Sequence, residues 1–195
     1  MNTNTHLRFS HLIRQAVYAK TGIELHPLGF AYGSVKPDYS FYIFKISHFK
    51  KKGLKALNKE IKKIINNIKI TEYRCTRKSS ERLGVIAHYL SDFFCYVHNE
   101  SYKGGVLGHL FYEKNLFRHF RKESGIIHLL KQIKLLKAFS RKNTIEGILD
   151  DYHRRYSMEK PSYALDIEYA LKVCTDIIIN ILLMHILRRN EKAAA

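Results

Sequence analysis

The sequence has 195 residues, of which 46% are hydrophobic, and its 34 Lys and Arg against 17 Asp and Glu give a formal net charge of +17. The hydrophobic share excludes an intrinsically disordered chain, and three cysteines without a Cys-x-x-Cys pair exclude a disulfide scaffold and a cysteine zinc finger. The first residues contain no apolar run typical of a signal peptide, and the longest apolar stretch, residues 177–187, is interrupted by Asn180 and His185. We therefore expect a folded, basic, cytoplasmic protein without a transmembrane segment.

Helical periodicity runs through most of the chain. Apolar residues recur at helical spacing over residues 8–21, 54–69, 80–95, 106–121, 126–139, 144–156 and 162–189. Two stretches rich in Gly or Pro, residues 23–49 and 99–105, are predicted to be loops. The pattern predicts an all-α fold: a single-domain multi-helix bundle over residues 1–192, with residues 193–195 as a short appended tail.

The excess positive charge is concentrated in residues 45–78 and 114–142. In both stretches Lys and Arg interleave with Leu and Ile at helical spacing, which predicts amphipathic helices with basic outer faces. Such faces either keep the protein soluble or attract a polyanion, which could be an anionic membrane or a nucleic acid. Charge alone does not distinguish these partners, although no RNA-recognition signature or helix-turn-helix pattern is present. No protein partner is predicted.

Two His/carboxylate pairs have the spacing of metal ligands on a helix. His88 and Asp92 are four residues apart, as are His109 and Glu113, so each pair shares one helix face. If the first helix continued, His98 would lie about 15 Å beyond His88, which assigns it to the second pair. Two His and one carboxylate leave a coordination position open, as in catalytic zinc sites. The alternative is a set of hydrogen-bonded core histidines, with Asp92 paired to Lys or Arg.

The run from Leu83 to Asp92, followed by His98, His109 and Glu113, resembles the zinc-dependent phospholipase C family, which is related to the S1/P1 nucleases. That family has a His-x-x-x-Asp motif, a His six residues later and then His-x-x-x-Glu. The resemblance implies an all-α bundle of the zinc-dependent phospholipase C / P1 nuclease type that holds two to three zinc ions.

Further matches lie upstream of these motifs. The segment Gly33 to Asp38 resembles the glycine-led loop that presents an aspartate to the metals, and His48 resembles the histidine that follows it. His6 resembles the early histidine that binds the outermost ion, with His11 as a rival. By this resemblance one ion is held by Asp38, His48, His88 and Asp92, with Asp92 also bridging to the third, and another by His98, His109 and Glu113.

One departure concerns the third ion. In the secreted enzymes the amine of a processed N-terminal tryptophan is a ligand of that ion, whereas this sequence has no tryptophan and no visible cleavage site. The third site could use His6 with His11, use water, or be empty.

The resemblance implies a zinc-dependent phosphodiesterase, a phospholipase C that hydrolyses glycerophospholipids to diacylglycerol and a phosphorylated headgroup. Metal-bound hydroxide would attack phosphorus, Asp38 would take a proton or orient that water, and Asp92 would bridge ions. The phospholipid would be met at a membrane surface, where the basic faces hold the enzyme peripherally. One alternative is an S1/P1-like nuclease that acts on single-stranded nucleic acid. Another is a non-catalytic basic helical binding module.

Overall fold

The computed structural model describes residues 1–39, 46–122 and 144–194, and these residues are almost entirely helical. They form helices α1 (Thr3–Thr21), α2 (Pro27–Tyr39), α3 (Lys50–Asn67), α4 (Arg77–Phe93), α5 (Val106–Lys122), α6 (Ile145–Met158) and α7 (Tyr163–Ala193), with a 3₁₀ turn at Tyr96–His98. Two short strands, β1 (Ile70–Thr71) and β2 (Arg74–Cys75), pair antiparallel between α3 and α4. The all-α prediction is confirmed, while the helix predicted over residues 126–139 lies outside the described residues.

The main error of the sequence prediction is the loop expected over residues 23–49. Residues 27–39 of that stretch form α2, which begins at Pro27, a position where proline is tolerated because its missing N–H would have no helical partner. Helix α1 also begins earlier than predicted, at Thr3, because the side chain of Asn2 caps it by accepting a hydrogen bond from the N–H of Thr5.

Glycines allow α2 and α4 to pack with their backbones almost in contact. A Cβ added to Gly33 on α2 would lie 2.0 Å from the carbonyl oxygen of Glu81, and one added to Gly84 on α4 would lie 2.3 Å from that of Phe30. These glycines therefore act as contact points between helices and not as loop residues. The close packing sets the C-terminal end of α2, which carries Asp38, beside the middle of α4.

Helix α7 forms much of the core. Its middle turns bury Val173, Ile177 and Ile181 against other helices, among them α4 and α1. Within the described ranges, α7 alone is long and apolar enough to cross a membrane. The central helix of a folded domain passes the same test of length and composition, and 56% of the most apolar window of α7 is buried within the protein, so this feature is weak grounds for a membrane span.

We predict that Gly33→Ala destabilises the protein by about 1–3 kcal/mol, because the added methyl group collides with backbone that cannot rotate away. In a free helix the same change would stabilise by about 0.5–1 kcal/mol. Urea unfolding followed by circular dichroism measures the difference. Gly105→Ala is the matched control, since a methyl group there meets no atom of the described residues within 4 Å. Equal midpoints for the two variants would contradict the packing argument.

Candidate metal centre

The structure brings the eight side chains predicted as metal ligands into one cluster around Asp92. They come from α1, the end of α2, the segment before α3, α4, the 3₁₀ turn and α5. Within the described ranges they form three groups whose ligand atoms lie within 4.8 Å of one another: His6, His88 and Asp92; Asp38, His48 and His88; and His98, His109 and Glu113. His11, the rival of His6, is exposed and belongs to none of these groups.

Asp92 is buried at the centre of the cluster, and both of its carboxylate oxygens face imidazole nitrogens. Oδ2 lies 2.5 Å from Nδ1 of His48 and 3.4 Å from Nε2 of His88. Oδ1 lies 3.5 Å from Nε2 of His6 and 3.8 Å from Nε2 of His98. Four separate stretches of chain therefore meet at one carboxylate.

Hydrogen bonds behind the cluster fix the protonation of two histidines. Nδ1 of His88 lies 2.9 Å from the carbonyl oxygen of Ser34, which can only accept, so Nδ1 carries the hydrogen. The hydroxyl of Ser91 donates to the carbonyl oxygen of His88 and therefore accepts from Nδ1 of His6 at 3.2 Å. Both histidines consequently turn a lone pair on Nε2 towards the cluster, and Nε2 of His6 has no hydrogen-bond partner in the part of the chain that the structure describes.

These lone pairs face carboxylate oxygens, which are also acceptors. Nε2 of His88 lies 3.6 Å from Oδ1 of Asp38 as well as 3.4 Å from Asp92. Burial lowers the pKa of His88 well below its usual value and keeps the imidazole neutral. Two acceptors at such distances repel unless a cation lies between them. Tetrahedral zinc with bonds of about 2.0–2.1 Å separates its donor atoms by about 3.3 Å, so this donor set fits zinc.

The third group is built on α5 and the 3₁₀ turn. Oε1 of Glu113 lies 3.0 Å from Nε2 of His109 and 3.3 Å from Nε2 of His98. Burial would raise the pKa of Glu113, but the hydrogen bonds from His98 and the Met1 ammonium lower it to about 2. The carboxylate is therefore ionised and available as a ligand at neutral pH.

His98 joins the cluster because α4 does not continue. The helix ends at Phe93, and the turn that follows folds the chain back. The separation of about 15 Å between His88 and His98 that a continuous helix would give therefore does not apply, and Nε2 of His98 lies 3.8 Å from Oδ1 of Asp92. His98 still groups with His109 and Glu113, as predicted from the spacing.

Sequence reasoning missed the amine of Met1. Its nitrogen lies 2.5 Å from Oδ1 of Asp92, 3.0 Å from Oε1 of Glu113 and 3.1 Å from Nε2 of His98. Burial opposes the charged amine, yet the two carboxylates raise its pKa to about 11. The backbone amine has no side-chain signature, and the available signal was the resemblance to the secreted enzymes, whose N-terminal amine ligand does not depend on the tryptophan side chain.

A second buried carboxylate holds the turn that carries His98. Asp166 on α7 accepts hydrogen bonds from the backbone N–H of Tyr96 at 2.9 Å, the hydroxyl of Tyr112 at 2.9 Å and the hydroxyl of Tyr156 at 2.7 Å. Burial raises the pKa of Asp166 to about 6 despite these donors. The network ties α7 to α5, α6 and the 3₁₀ turn.

The cluster opens into a cavity of about 410 Å³ that is lined by Asp38, His48, Asp92, His109 and Glu113 together with Leu110. A neighbouring cavity of about 660 Å³ shares His98 with it and is bounded by residues of α3, α6 and the 3₁₀ turn. The space beside the ligand atoms is therefore sufficient for a phosphodiester and its headgroup.

The fold and the site define a class of protein: an all-α protein in which histidine and carboxylate groups converge on one aspartate. The sequence model of the family described as zinc dependent phospholipase C matches residues 5–163, and the chain belongs to this family. The match extends beyond Glu113, where the resemblance in the sequence ended, through α6. Searches of curated proteins and of solved structures gave no match.

We predict that Tyr156→Phe destabilises the metal-free protein by about 1–3 kcal/mol at about pH 7.5, because it removes a donor from a buried charged carboxylate. The loss is smaller at about pH 5, where Asp166, with its pKa near 6, is protonated. Because that pKa lies above the ordinary value, Asp166 itself contributes stability at low pH that is lost as the pH rises to about 6.

Urea unfolding in the presence of a chelator measures both losses. Tyr169→Phe is the control, because its hydroxyl bonds the exposed Glu159, and it should change little at either pH. A loss for Tyr156→Phe that is the same at both pH values would contradict a role for the ionised carboxylate.

Proposed function

We propose that this protein is a zinc-dependent phosphoric diester hydrolase, specifically a phospholipase C. It would cleave glycerophospholipids on the glycerol side of the phosphate and release diacylglycerol and a phosphorylated headgroup. The observation that carries the proposal is the buried lone pair of His6 and that of His88, each turned towards a carboxylate oxygen at 3.4–3.6 Å. Membership of the zinc dependent phospholipase C family supports the same reaction.

The donor groups divide naturally among three ions. Asp38, His48, His88 and Asp92 would hold one, His98, His109 and Glu113 a second, and His6, Asp92 and the Met1 amine a third. Bound zinc neutralises phosphate charge and lowers the pKa of coordinated water towards 7. The open cavity beside these donors is where the phosphate would enter.

The two aspartates have different roles in this proposal. Asp92 is buried, and both of its oxygens are engaged, so it serves as a bridging ligand between groups. Asp38 is partly exposed and lines the cavity. Its position favours accepting a proton from the attacking water or orienting that water, and burial already raises the pKa of its carboxyl group.

The substrate class rests on the family rather than on charge. A formal net charge of +17 attracts single-stranded nucleic acid as well as anionic lipid. The family implies phospholipid, met peripherally at a membrane surface. A nuclease that uses the same ions is the competing function that the assay below distinguishes.

We predict two to three zinc ions per chain in the purified protein and a loss of turnover of at least about a hundredfold in Asp92→Asn. The amide keeps the shape of the side chain but removes the negative charge that the ions share. Elemental analysis and headgroup release from phospholipid vesicles measure the two effects. Asp151→Asn is the control, because among the described residues that carboxylate pairs with Arg154 and Arg155 on its own helix, away from the cluster.

Parallel assays on single-stranded DNA and RNA decide the substrate class. Release of nucleotides without release of headgroup would replace the phospholipase by a nuclease. A zinc-free protein, or near-normal turnover by Asp92→Asn, would overturn the metal assignment itself.

We predict that a Gly-Ser dipeptide joined in front of Met1 lowers the zinc content by about one ion per chain and reduces turnover, because an amide nitrogen is a poor zinc ligand. The same dipeptide joined after Ala195 is the control. Elemental analysis and headgroup release provide the readouts, and circular dichroism confirms that helicity is retained. Unchanged zinc content in the protein extended before Met1 would show that the amine is not a ligand.

A further inference from the structure

The outer face of α5 carries an exposed apolar patch over its first two turns. Val106, Leu107, Leu110 and Phe111 occupy neighbouring positions, with Leu107 83% exposed and Phe111 64% exposed. Single exposed apolar side chains are common on proteins, but four together on one helix form a patch of the kind that marks an interaction site. We call these four residues the α5 patch.

The opposite face of the same helix is firmly packed. Glu113, Leu116 and Phe120 are buried, and Phe120 contacts the ring of Phe9 on α1 edge to face. The exposure of the α5 patch therefore does not come from a helix that has separated from the core.

The patch lies at the rim of the metal centre. Leu110 lines the cavity that contains Asp38 and Asp92. It also lines an adjoining cavity of about 400 Å³ with Val97 and Tyr102. A surface that covers the α5 patch would therefore also face the opening of the site.

Basic residues continue the outer face of α5 beyond the patch. Lys114 and Arg118 are exposed, and so are Arg121 and Lys122 at the helix end. An apolar stretch followed by cations is typical of a helix that lies on an anionic bilayer, with apolar side chains among the acyl chains and Lys or Arg at the phosphates. Nucleic acid would pair with the basic half but would leave the apolar half in water.

We propose that the outer face of α5 is the surface by which the protein docks on an anionic phospholipid bilayer. Leu107 and Phe111 enter the acyl-chain boundary, and Lys114 and Arg118 bind lipid phosphates. This inference rests on the proposed phospholipase function and identifies the surface that this function uses. In this orientation the opening beside Leu110 faces the headgroup layer, so a phosphodiester reaches the site while its acyl chains stay in the bilayer.

The first test is the double variant Leu107→Ser/Phe111→Ser in the zinc-loaded protein. We expect its partitioning onto vesicles of equal parts phosphatidylcholine and phosphatidylglycerol to weaken about tenfold to a hundredfold, because two exposed apolar side chains that the bilayer would bury are lost. The matched control is Leu28→Ser/Tyr32→Ser, a leucine and an aromatic residue with the same spacing and also exposed, on α2. Equal loss in both double variants, or no loss in the first, would overturn the proposal.

A second test uses the absence of tryptophan from the sequence. Leu107→Trp places a single tryptophan in the α5 patch, and Leu28→Trp places one on α2. Addition of the same vesicles should shift the emission of the first to shorter wavelength and leave the second unchanged. An unshifted spectrum for Leu107→Trp at saturating vesicles would overturn insertion of this face.

A soluble short-chain phosphatidylcholine separates this proposal from the proposed function. Leu107→Ser/Phe111→Ser should hydrolyse that monomeric substrate at the normal rate and lose activity only on vesicles. If the zinc-loaded native protein hydrolyses neither substrate, the phospholipase function fails, while vesicle partitioning and tryptophan emission still decide the docking surface. Weakened binding of single-stranded DNA by the double variant, with unchanged vesicle binding, would overturn the docking proposal in favour of a nucleic-acid surface.

Discussion

The buried charge of Asp92 is the constraint on which the site depends. An ionised carboxylate removed from water is costly unless cations or hydrogen-bond donors surround it. The Met1 ammonium supplies positive charge beside it, and the pKa of His48 is raised above its usual value because the hydrogen bond and charge of Asp92 outweigh the effect of burial. The same carboxylate lies near acceptor lone pairs of His6 and His88, an arrangement that needs more positive charge than these two groups provide.

The donor side chains around Asp92 are positioned by contacts that fix the backbones that carry them. Gly33 and Gly84 allow α2 to lie against α4, which sets Asp38 within reach of His88. Asp166 holds the backbone of Tyr96, two residues before His98, by a hydrogen bond. Donor atoms carried on rigid elements keep their mutual distances in the absence of an ion, so little reorganisation is needed when one binds.

The sequence predicted the parts of the site that depend on helical periodicity. His88 with Asp92, and His109 with Glu113, are neighbours because residues four apart share a helix face. The positions of Asp38 and His48 followed only from the family resemblance, since no local spacing connects them to α4. Residues 27–39 were wrongly predicted to be a loop because glycine and proline are local loop signals. Gly33 is explained instead by the close approach of α4, which is a tertiary contact and is not visible in the local sequence. The Met1 amine could not be predicted from side-chain chemistry at all.

Helix α5 carries candidate metal ligands on its inner face and the α5 patch, the proposed docking surface, on its outer face. His109 and Glu113 face inwards, whereas Leu107 and Phe111, within the same two turns, face outwards. A helix rises 1.5 Å per residue, so in the proposed docking the depth of the outer side chains in the bilayer would fix the height of the inner candidate ligands. Apolar side chains of interfacial helices lie about 5–10 Å into the headgroup and acyl boundary, and docking of α5 in this way would leave its ligand side close to the layer of lipid phosphates. Under the proposed docking, α5 would therefore set both the orientation of the protein on the membrane and the level at which a phosphodiester meets the candidate metal centre.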